Sequence, residues 1–280
     1  MRIEGIITKS QAHWDSWNEY DKFRGNEKPN KNSGEKRIRI LLVPVLCLAF
    51  AAAVIVLHGR QKDSPAEPVA FEQDVRSKSI VDASPGTIPD YSGTDVIELN
   101  GNKPGFTQAD YASITGENYS DLDILGRCGT AVAMLDRTMM PTGERESIEQ
   151  IRPTGWVQKK YPGLVDSEPP YLYNRSHLIA YALTGQNANE KNLITGTRYM
   201  NATTMLPYEE QVMRYLDNSE NHVLYRISPY FKGIELLARG VEMEAYSVED
   251  GGAGVCFHVF VYNVQPGIEL DYRTGENRKK

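Results

Sequence analysis

A run of polar side chains interrupts otherwise apolar sequence between residues 171 and 215, and its residue types suit proton transfer beside an anion. Asn174, Arg175 and Ser176 lead directly into His177. A neutral imidazole with a pKa near ~6.5 accepts a proton well around neutral pH, so His177 is a candidate general base. Arginine presents planar paired donors to anionic oxygens, which makes Arg175 a candidate anion contact. A lone histidine is more often structural, so the residues around His177 must indicate whether it is a general base or a structural residue.

Further polar residues follow His177 at defined intervals. Asn192 and Asn201 lie nine residues apart among apolar or small neighbours. Glu210 and Arg214 lie four residues apart, a spacing that places both on one face of a helix. Taken singly, each asparagine could cap a turn, and the Glu-Arg pair could be a solvated ion pair.

The order and spacing of these residues resemble the DNA/RNA non-specific endonucleases of the ββα-metal (His-Me finger) class, in particular the membrane-anchored or secreted surface nucleases of Gram-positive bacteria. That family's signature is Asp-Arg-Gly-His, then two asparagines nine residues apart, then a Glu-x-x-x-Arg pair. The resemblance extends over residues 93–273. Two positions depart from the signature, because Asn174 stands in place of the aspartate and Ser176 in place of the glycine.

The resemblance implies a role for each residue of the cluster. It makes His177 the base that activates water and Asn201 a direct ligand of Mg²⁺, with Mn²⁺ able to substitute. A single neutral oxygen ligand suits Mg²⁺, which keeps several waters and shares the substrate phosphate. Glu210 would hold a metal-bound water or orient Arg214. The other implied residues are Arg175 and Arg214 as catalytic contacts to phosphate, and Asn174, Asn192 and Arg198 as substrate-binding residues.

The elements that must position this cluster follow from the pattern of apolar residues. Runs rich in β-branched and aromatic residues predict strands at 96–99, 131–135, 223–227, 236–246 and 255–264. A short helix is predicted over 177–183. A second helix is predicted over 207–216, with Pro207 in its first turn and Val212, Met213 and Leu216 as its apolar face. Strands adjacent in sequence and few helices predict an α+β fold with a central, largely antiparallel sheet. The resemblance adds a ββα-metal active-site motif.

The net charge argues against a general attraction to nucleic acid. The chain carries −6 overall, but residues 1–60 hold 10 Lys/Arg against 6 Asp/Glu, which leaves a balance of −10 for residues 61–280. An acidic domain gains no overall steering toward a polyanion, so phosphate binding would need a local basic patch or a metal. The expected function is a Mg²⁺-dependent, sequence-nonspecific endonuclease of DNA and/or RNA with no obligate protein partner. The alternative is a catalytically silent binding or adhesion module on the same scaffold.

One N-terminal segment is predicted to cross the lipid bilayer. Residues 40–57 carry no charge and would form about 27 Å of helix. Lysines and arginines precede this run, so the positive-inside rule places the N-terminus in the cytoplasm and the later residues outside the cell. The predicted organisation is a cytoplasmic tail at 1–37, a transmembrane signal anchor at 38–58, a linker at 59–92 and a nuclease domain at 93–280. A cleaved signal peptide is less favoured, because the polar segment before the run is too long.

The cysteines and the remaining histidines of this domain give weaker indications. Cys128 and Cys256 could form one disulfide in an exported domain, or remain two separate buried thiols. His222 and His258 have no zinc-ligand spacing around them. The sequence therefore predicts one site, centred on His177.

Overall fold

The computed structural model describes residues 88–143 and 145–280. The predicted tail at 1–37, the predicted membrane segment at 38–58 and most of the predicted linker at 59–92 lie outside the described residues. Within the described part of the chain, no helix combines the length and the apolar composition needed to cross a bilayer.

Strands make up most of the regular structure of this domain. In chain order they are β1 (Val96–Glu98), β2 (Glu117–Tyr119), β3 (Ala131–Leu135), β4 (Tyr173–His177), β5 (Leu193–Thr197), β6 (Val223–Tyr230), β7 (Gly240–Ser247), β8 (Cys256–Tyr262), β9 (Ile268–Leu270) and β10 (Asn277–Lys279). Six of them form a central sheet in the order β1-β8-β7-β6-β3-β2. Every neighbouring pair in that sheet is antiparallel. The predicted mixed fold with a large antiparallel sheet is therefore confirmed.

Both faces of the central sheet are buried, which explains why its strands are apolar almost throughout. Ala133, Tyr225 and Val259 lie in the main core cluster on one face. Leu224 and Phe260 lie in smaller clusters of their own, away from that core. A strand covered on both faces has a continuous apolar run rather than an alternating one. This is the signal that predicted 131–135, 223–227 and 255–264 as strands.

Helices are few, and one prediction about them is wrong. The α-helices are α1 (Gln108–Ser113), α2 (Tyr181–Thr184) and α3 (Leu206–Asp217), and a π-helical turn (Met200–Thr204) comes just before α3. The helix predicted over 207–216 is confirmed as α3, with Pro207 in its first turn. The start predicted for the short helix over 177–183 is wrong: α2 begins at Tyr181, because His177 ends β4 and pairs with Leu193 of β5. That pairing partner is remote in sequence, so the local apolar pattern could not reveal it.

A two-stranded antiparallel ribbon of β4 and β5 lies apart from the large sheet and leads into the π-helical turn and α3. A buried amide ties this ribbon to the rest of the domain. Asn263 follows β8, and its Oδ1 accepts a 2.8 Å hydrogen bond from the Thr197 N–H. Its Nδ2 donates to the carbonyls of Thr195 at 3.1 Å and Ala238 at 2.9 Å. The ribbon is thereby fixed to the chain that enters β7.

The two cysteines of the domain are both free thiols. Cys128 is buried, and its Sγ–H lies 3.2 Å from the Leu193 carbonyl oxygen, which accepts the hydrogen bond. Burial raises the pKa of the Cys128 thiol to about 12. Of the two alternatives that the sequence left open, the structure favours separate thiols over a disulfide.

Candidate active site

His177 lies at the end of β4 with 7% of its surface exposed. Its Nε2 lies 2.9 Å from the backbone oxygen of Asn187. That oxygen can only accept a hydrogen bond, so Nε2 carries the ring proton and Nδ1 keeps its lone pair. Arg145 approaches from the other side, with Nη2 at 3.3 Å from Nδ1. The structure therefore holds the histidine in the tautomer that a general base needs.

Burial keeps this imidazole neutral. It lowers the pKa of His177 from 6.5 to about 4, against the opposing effect of the hydrogen bond to Asn187, and the positive charge of Arg145 adds to the lowering. A base with so low a pKa is fully available at neutral pH, although it binds the proton less strongly than an exposed imidazole.

Asn201 lies in the π-helical turn, and Ser176 of β4 fixes its side chain. The hydroxyl of Ser176 donates a 2.7 Å hydrogen bond to the amide oxygen of Asn201. Ser176 is fully buried, and it fits because residue 196 across the ribbon is glycine. A Cβ at Gly196 would lie 2.7 Å from the Cβ of Ser176. The replacement of the signature's glycine by Ser176 is thus matched by a glycine on the partner strand.

Glu209 is the carboxylate that α3 turns toward this site. It is 7% exposed, lines the same cleft as His177 and Asn201, and has no recorded hydrogen-bond or ion-pair partner among residues 88–143 and 145–280. Burial, together with the charge of Glu210, raises the pKa of Glu209 to about 8. A buried carboxylate without a partner costs free energy unless a cation joins it. The oxygens of Asn201 and Glu209 are therefore a donor set that fits Mg²⁺.

The predicted catalytic pair Glu210 and Arg214 lies elsewhere. Arg214 Nη1 is 3.4 Å from Glu210 Oε2, and 66% of the Arg214 side chain is exposed. Neither residue is among the described residues that line the cleft. The predicted roles of Glu210 and Arg214 at the reacting phosphate therefore remain predictions. Only the arginine of this ion pair is well exposed, because 19% of the Glu210 side chain is exposed, and Glu209 is the glutamate of α3 that lines the cleft.

The sequence contained a signal for Glu209 that the motif obscured. Glu209 precedes the apolar residues Val212, Met213 and Leu216 by three, four and seven positions. This is the spacing of one helix face, so the periodicity that predicts the helix also places Glu209 on its apolar face. The match to Glu-x-x-x-Arg selected its neighbour, Glu210, instead.

Three of the remaining predicted residues line the cleft. Asn174 and Arg198 both do so, and burial lowers the pKa of Arg198 to about 10. Arg175 stacks on Trp156, with its guanidinium carbon 4.5 Å from the ring centroid. Its Nε and Nη2 donate 2.6 Å hydrogen bonds to the carbonyls of Ile151 and Glu149. Two of the nitrogen atoms of Arg175 thus hold the neighbouring loop in place through hydrogen bonds.

Asn192 was predicted to bind substrate, with a role in a turn as the alternative, and its contacts fit the second role. Its side chain is fully buried. Its Oδ1 accepts from the Ile179 N–H at 2.8 Å, and its Nδ2 donates to the Ile179 carbonyl at 3.0 Å. With no exposed surface it cannot touch a ligand, and it instead supports the turn that follows His177.

Two further arginines that the sequence did not single out complete the cleft. Arg145 and Arg152 line it together with Arg175 and Arg198, around a volume of about 950 Å³. Arg145 also lies over the ring of Tyr181, at 5.1 Å from the centroid. Residues 141–152 have no periodic pattern, so no local signal could have placed these side chains. Their convergence creates the local basic patch that the acidic composition required.

A second group of potential metal ligands lies on the central sheet, at Glu242, Glu244 and His258. Glu244 already accepts a hydrogen bond from the Gly105 N–H at 2.7 Å and pairs with Arg226 Nε at 2.6 Å. The two ring nitrogens of His258 face acceptors, the Lys103 carbonyl at 3.1 Å and Glu242 Oε1 at 2.6 Å. A ring that donates from both nitrogens has no lone pair for a metal. The group is therefore an ion cluster that holds residues 103–105 against the sheet.

Comparison with known proteins agrees with the geometry. The profile of the DNA/RNA non-specific endonuclease family matches residues 108–249. A deoxyribonuclease from Streptococcus dysgalactiae subsp. equisimilis is 36% identical over 110 residues, which are 38% of this chain and 32% of that protein. The alignment thus spans about a third of the length of that curated relative.

Solved structures give the same result. NucA from Streptococcus agalactiae without metal is 28% identical, with a TM-score of 0.58 over 70% of this chain and 92% of that one. The same nuclease with magnesium bound is 27% identical, with a TM-score of 0.59 over 70% and 91%. The Sda1 nuclease with bound zinc is 29% identical, with a TM-score of 0.51 over 60% and 83%. The chain belongs to the DNA/RNA non-specific endonuclease family.

Proposed function

We propose that the described domain is a metal-dependent endonuclease that hydrolyses phosphodiester bonds of DNA and/or RNA without sequence preference. The observation that carries this proposal is the convergence of three side chains on one cleft. The neutral imidazole of His177, the amide of Asn201 and the unpartnered carboxylate of Glu209 all line it. Family membership and the nuclease relatives support the same reaction.

In this proposal His177 takes the proton from the attacking water. Its Nδ1 lone pair faces Arg145 in the structure, so Arg145 must turn to the phosphate before a water can occupy that place. The same guanidinium then offers paired donors to the phosphate oxygens. Asn187 keeps the proton on Nε2 throughout, because its backbone oxygen can only accept.

The residues that would hold the metal are Asn201, through its amide oxygen, and Glu209, directly or through a water. When bound, Mg²⁺ or Mn²⁺ supplies Lewis-acid stabilisation of the phosphate and of the leaving oxygen. The magnesium and zinc in the structures of NucA and Sda1 support a divalent metal in this family. This assignment gives Glu209 the role first expected of Glu210, and it makes the fold around β4, β5 and α3 a ββα-metal motif.

The cleft is built to bind phosphates rather than to read bases. Four arginines line it, and contacts to phosphate carry no direct sequence information. Affinity outside the cleft is expected to be modest and sensitive to salt, because the domain as a whole is acidic.

The proposal includes a location for the protein. Residues 40–57 anchor the chain in the membrane, with the N-terminus in the cytoplasm and the nuclease domain outside the cell. The charge asymmetry around the apolar run supports this orientation. Protease treatment of intact cells tests it, since an external domain is digested and a cytoplasmic one is protected.

A plasmid-nicking assay on the purified chain tests the reaction. The wild type should relax supercoiled plasmid and degrade RNA in Mg²⁺, and EDTA should stop both. His177→Ala should lose at least about a hundredfold in rate, because it removes the general base. Equal cleavage by wild type and His177→Ala would overturn the assigned base. Nucleic-acid binding without cleavage in any divalent metal would favour the silent binding module.

A further inference from the structure

The cleft extends from His177 along one face of β4. Side chains two residues apart on a strand point to the same face. Arg175 and His177 of β4 have this spacing and line the cleft, and Tyr171, which comes two residues before β4, lines it as well. They form a track that starts at the catalytic histidine and ends at a tyrosine.

The length of this track exceeds one nucleotide. The four residue steps of β4 from Tyr173 to His177 cover about 13 Å, and Tyr171 lies two residues further along the chain. A strand of several nucleotides is needed to reach both ends, and single-strand sites on other proteins take about 4–16 nucleotides. The far end of the track is thus a place for a nucleotide other than the two that flank the cleaved bond.

The chemistry at the far end is aromatic and cationic. Tyr171 is 41% exposed, a large value for an aromatic ring. Lys160 lies against it, with Nζ at 4.8 Å from the ring centroid. Trp156, on the way to the active site, has Arg175 at 4.5 Å and Arg152 at 6.0 Å from its ring. Aromatic rings interleaved with cations are the pattern of surfaces that bind single strands by stacking on bases.

We propose that Tyr171 and Lys160 form a subsite that stacks an unpaired base of the strand whose phosphate lies at His177. This inference rests on the proposed function and names its substrate class, namely nucleic acid with unpaired bases several residues from the cleaved bond. A base inside a duplex already has neighbours on both faces, so Tyr171 can stack only on a base that has left the helix. Single strands, frayed ends and loops therefore bind better than intact duplex.

Binding of fluorescent oligonucleotides to the detergent-solubilised full chain tests the subsite. The parent variant is His177→Ala, which leaves the oligonucleotide intact. Adding Tyr171→Ala should weaken binding of a single-stranded decanucleotide roughly tenfold and leave a dinucleotide unaffected, because only the longer strand reaches the ring. Tyr171→Phe, which keeps the aromatic face, should bind like the parent.

Two controls separate stacking from other effects. Tyr91 is equally exposed, at 40%, but is not among the described residues that line the cleft, so Tyr91→Ala should not change the affinity. A decanucleotide without bases should bind the parent as weakly as the normal decanucleotide binds Tyr171→Ala. Unchanged decanucleotide affinity in Tyr171→Ala, or full affinity for the abasic strand, would overturn the subsite. If the subsite fails these tests but the wild type still nicks plasmid, the nuclease function is retained. If binding depends on length and on Tyr171 but the wild type nicks no plasmid, the subsite is retained and only the nuclease function is rejected.

Discussion

The hydroxyl of Ser176 donates a 2.7 Å hydrogen bond to the amide oxygen of Asn201, the atom proposed to hold the metal. Groups that orient metal ligands typically affect metal affinity by about 10–100-fold. The bond uses one of the two lone pairs of the amide oxygen and leaves the other for a ligand. The serine that departs from the family signature is therefore in direct contact with the proposed metal site.

Removal of this hydroxyl should weaken metal binding. We expect both Ser176→Ala and Ser176→Gly to bind Mn²⁺ about tenfold more weakly than the wild type, measured by titration calorimetry. Ser176→Ala keeps the Cβ that packs beside Gly196, so it isolates the effect of the hydroxyl. Ser228→Ala is the matched control, because Ser228 bonds Thr130 on the central sheet. Unchanged Mn²⁺ affinity in both Ser176 variants would contradict the orienting role.

The two adjacent glutamates of α3 should behave differently. Glu209→Gln removes the carboxylate that lines the cleft and should lower the nicking rate at least about a hundredfold, as expected for loss of a group at the metal. Glu210→Gln leaves the residues that line the cleft unchanged, so its nicking rate should stay within about twofold of the wild type. A large loss in Glu210→Gln with a small one in Glu209→Gln would restore the motif-based assignment.

Glu209 should also make the metal-free protein less stable as the pH rises. Burial raises its pKa from 4.5 to about 8, so the unfolded chain releases the proton at a lower pH than the folded chain. Stability therefore falls as the pH climbs from about 4.5 toward about 8, and the fall should be smaller in Glu209→Gln. Urea unfolding of both proteins in EDTA across this range measures the difference. If the free energies of unfolding of the two proteins changed with pH in parallel, folding would not raise the pKa of Glu209.

Asn192 should matter for stability before it matters for catalysis. Asn192→Ala leaves the buried N–H and C=O of Ile179 without partners, so we expect a loss of about 3 kcal/mol in the free energy of unfolding. Asn118→Ala, which removes an exposed hydrogen bond, should cost much less. The comparison is made by urea denaturation. A loss of activity in Asn192→Ala at full stability would instead favour the substrate-binding role predicted from sequence.

His258 should lose stabilisation in the same direction of pH as Glu209, because folding raises the pKa of both groups. Burial alone would lower its pKa, but the hydrogen bond to Glu242 and the charges of Glu244 and Glu242 outweigh it and raise the pKa above 6.5. Its stabilisation is complete below about pH 6.5 and is lost as the pH rises through the folded-state pKa. The difference in unfolding free energy between wild type and His258→Gln should therefore shrink as the pH rises above about 6.5. A difference that does not depend on pH would mean that the ring is not an imidazolium.

The sequence predicted those parts of the molecule whose signals are local. The helix α3 follows from apolar residues at helical spacing, and β3 and β8 follow from apolar runs long enough for a strand. His177 and Asn201 were found because a motif with fixed spacing contains both. In each case the information lies within a few tens of residues.

The errors have physical reasons of their own. His177 was assigned to a helix because an apolar run of that length fits either structure, and the partner Leu193 that makes it a strand is remote. Asn192 was read as a ligand contact because polarity alone does not reveal burial. Arg145 was missed because it lies in an irregular loop, held by Asn187, whose Nδ2 donates to the neighbouring Glu146 carbonyl at 2.7 Å.

The amide of Asn263 has a mechanical consequence. It connects the ribbon that carries His177 to the chain entering β7, so the catalytic strand cannot shift without disturbing the strands behind it. The cleft takes its rigidity from residues that never meet a substrate. Heating should therefore loosen the catalytic ribbon and the large sheet at one temperature, in a single cooperative transition.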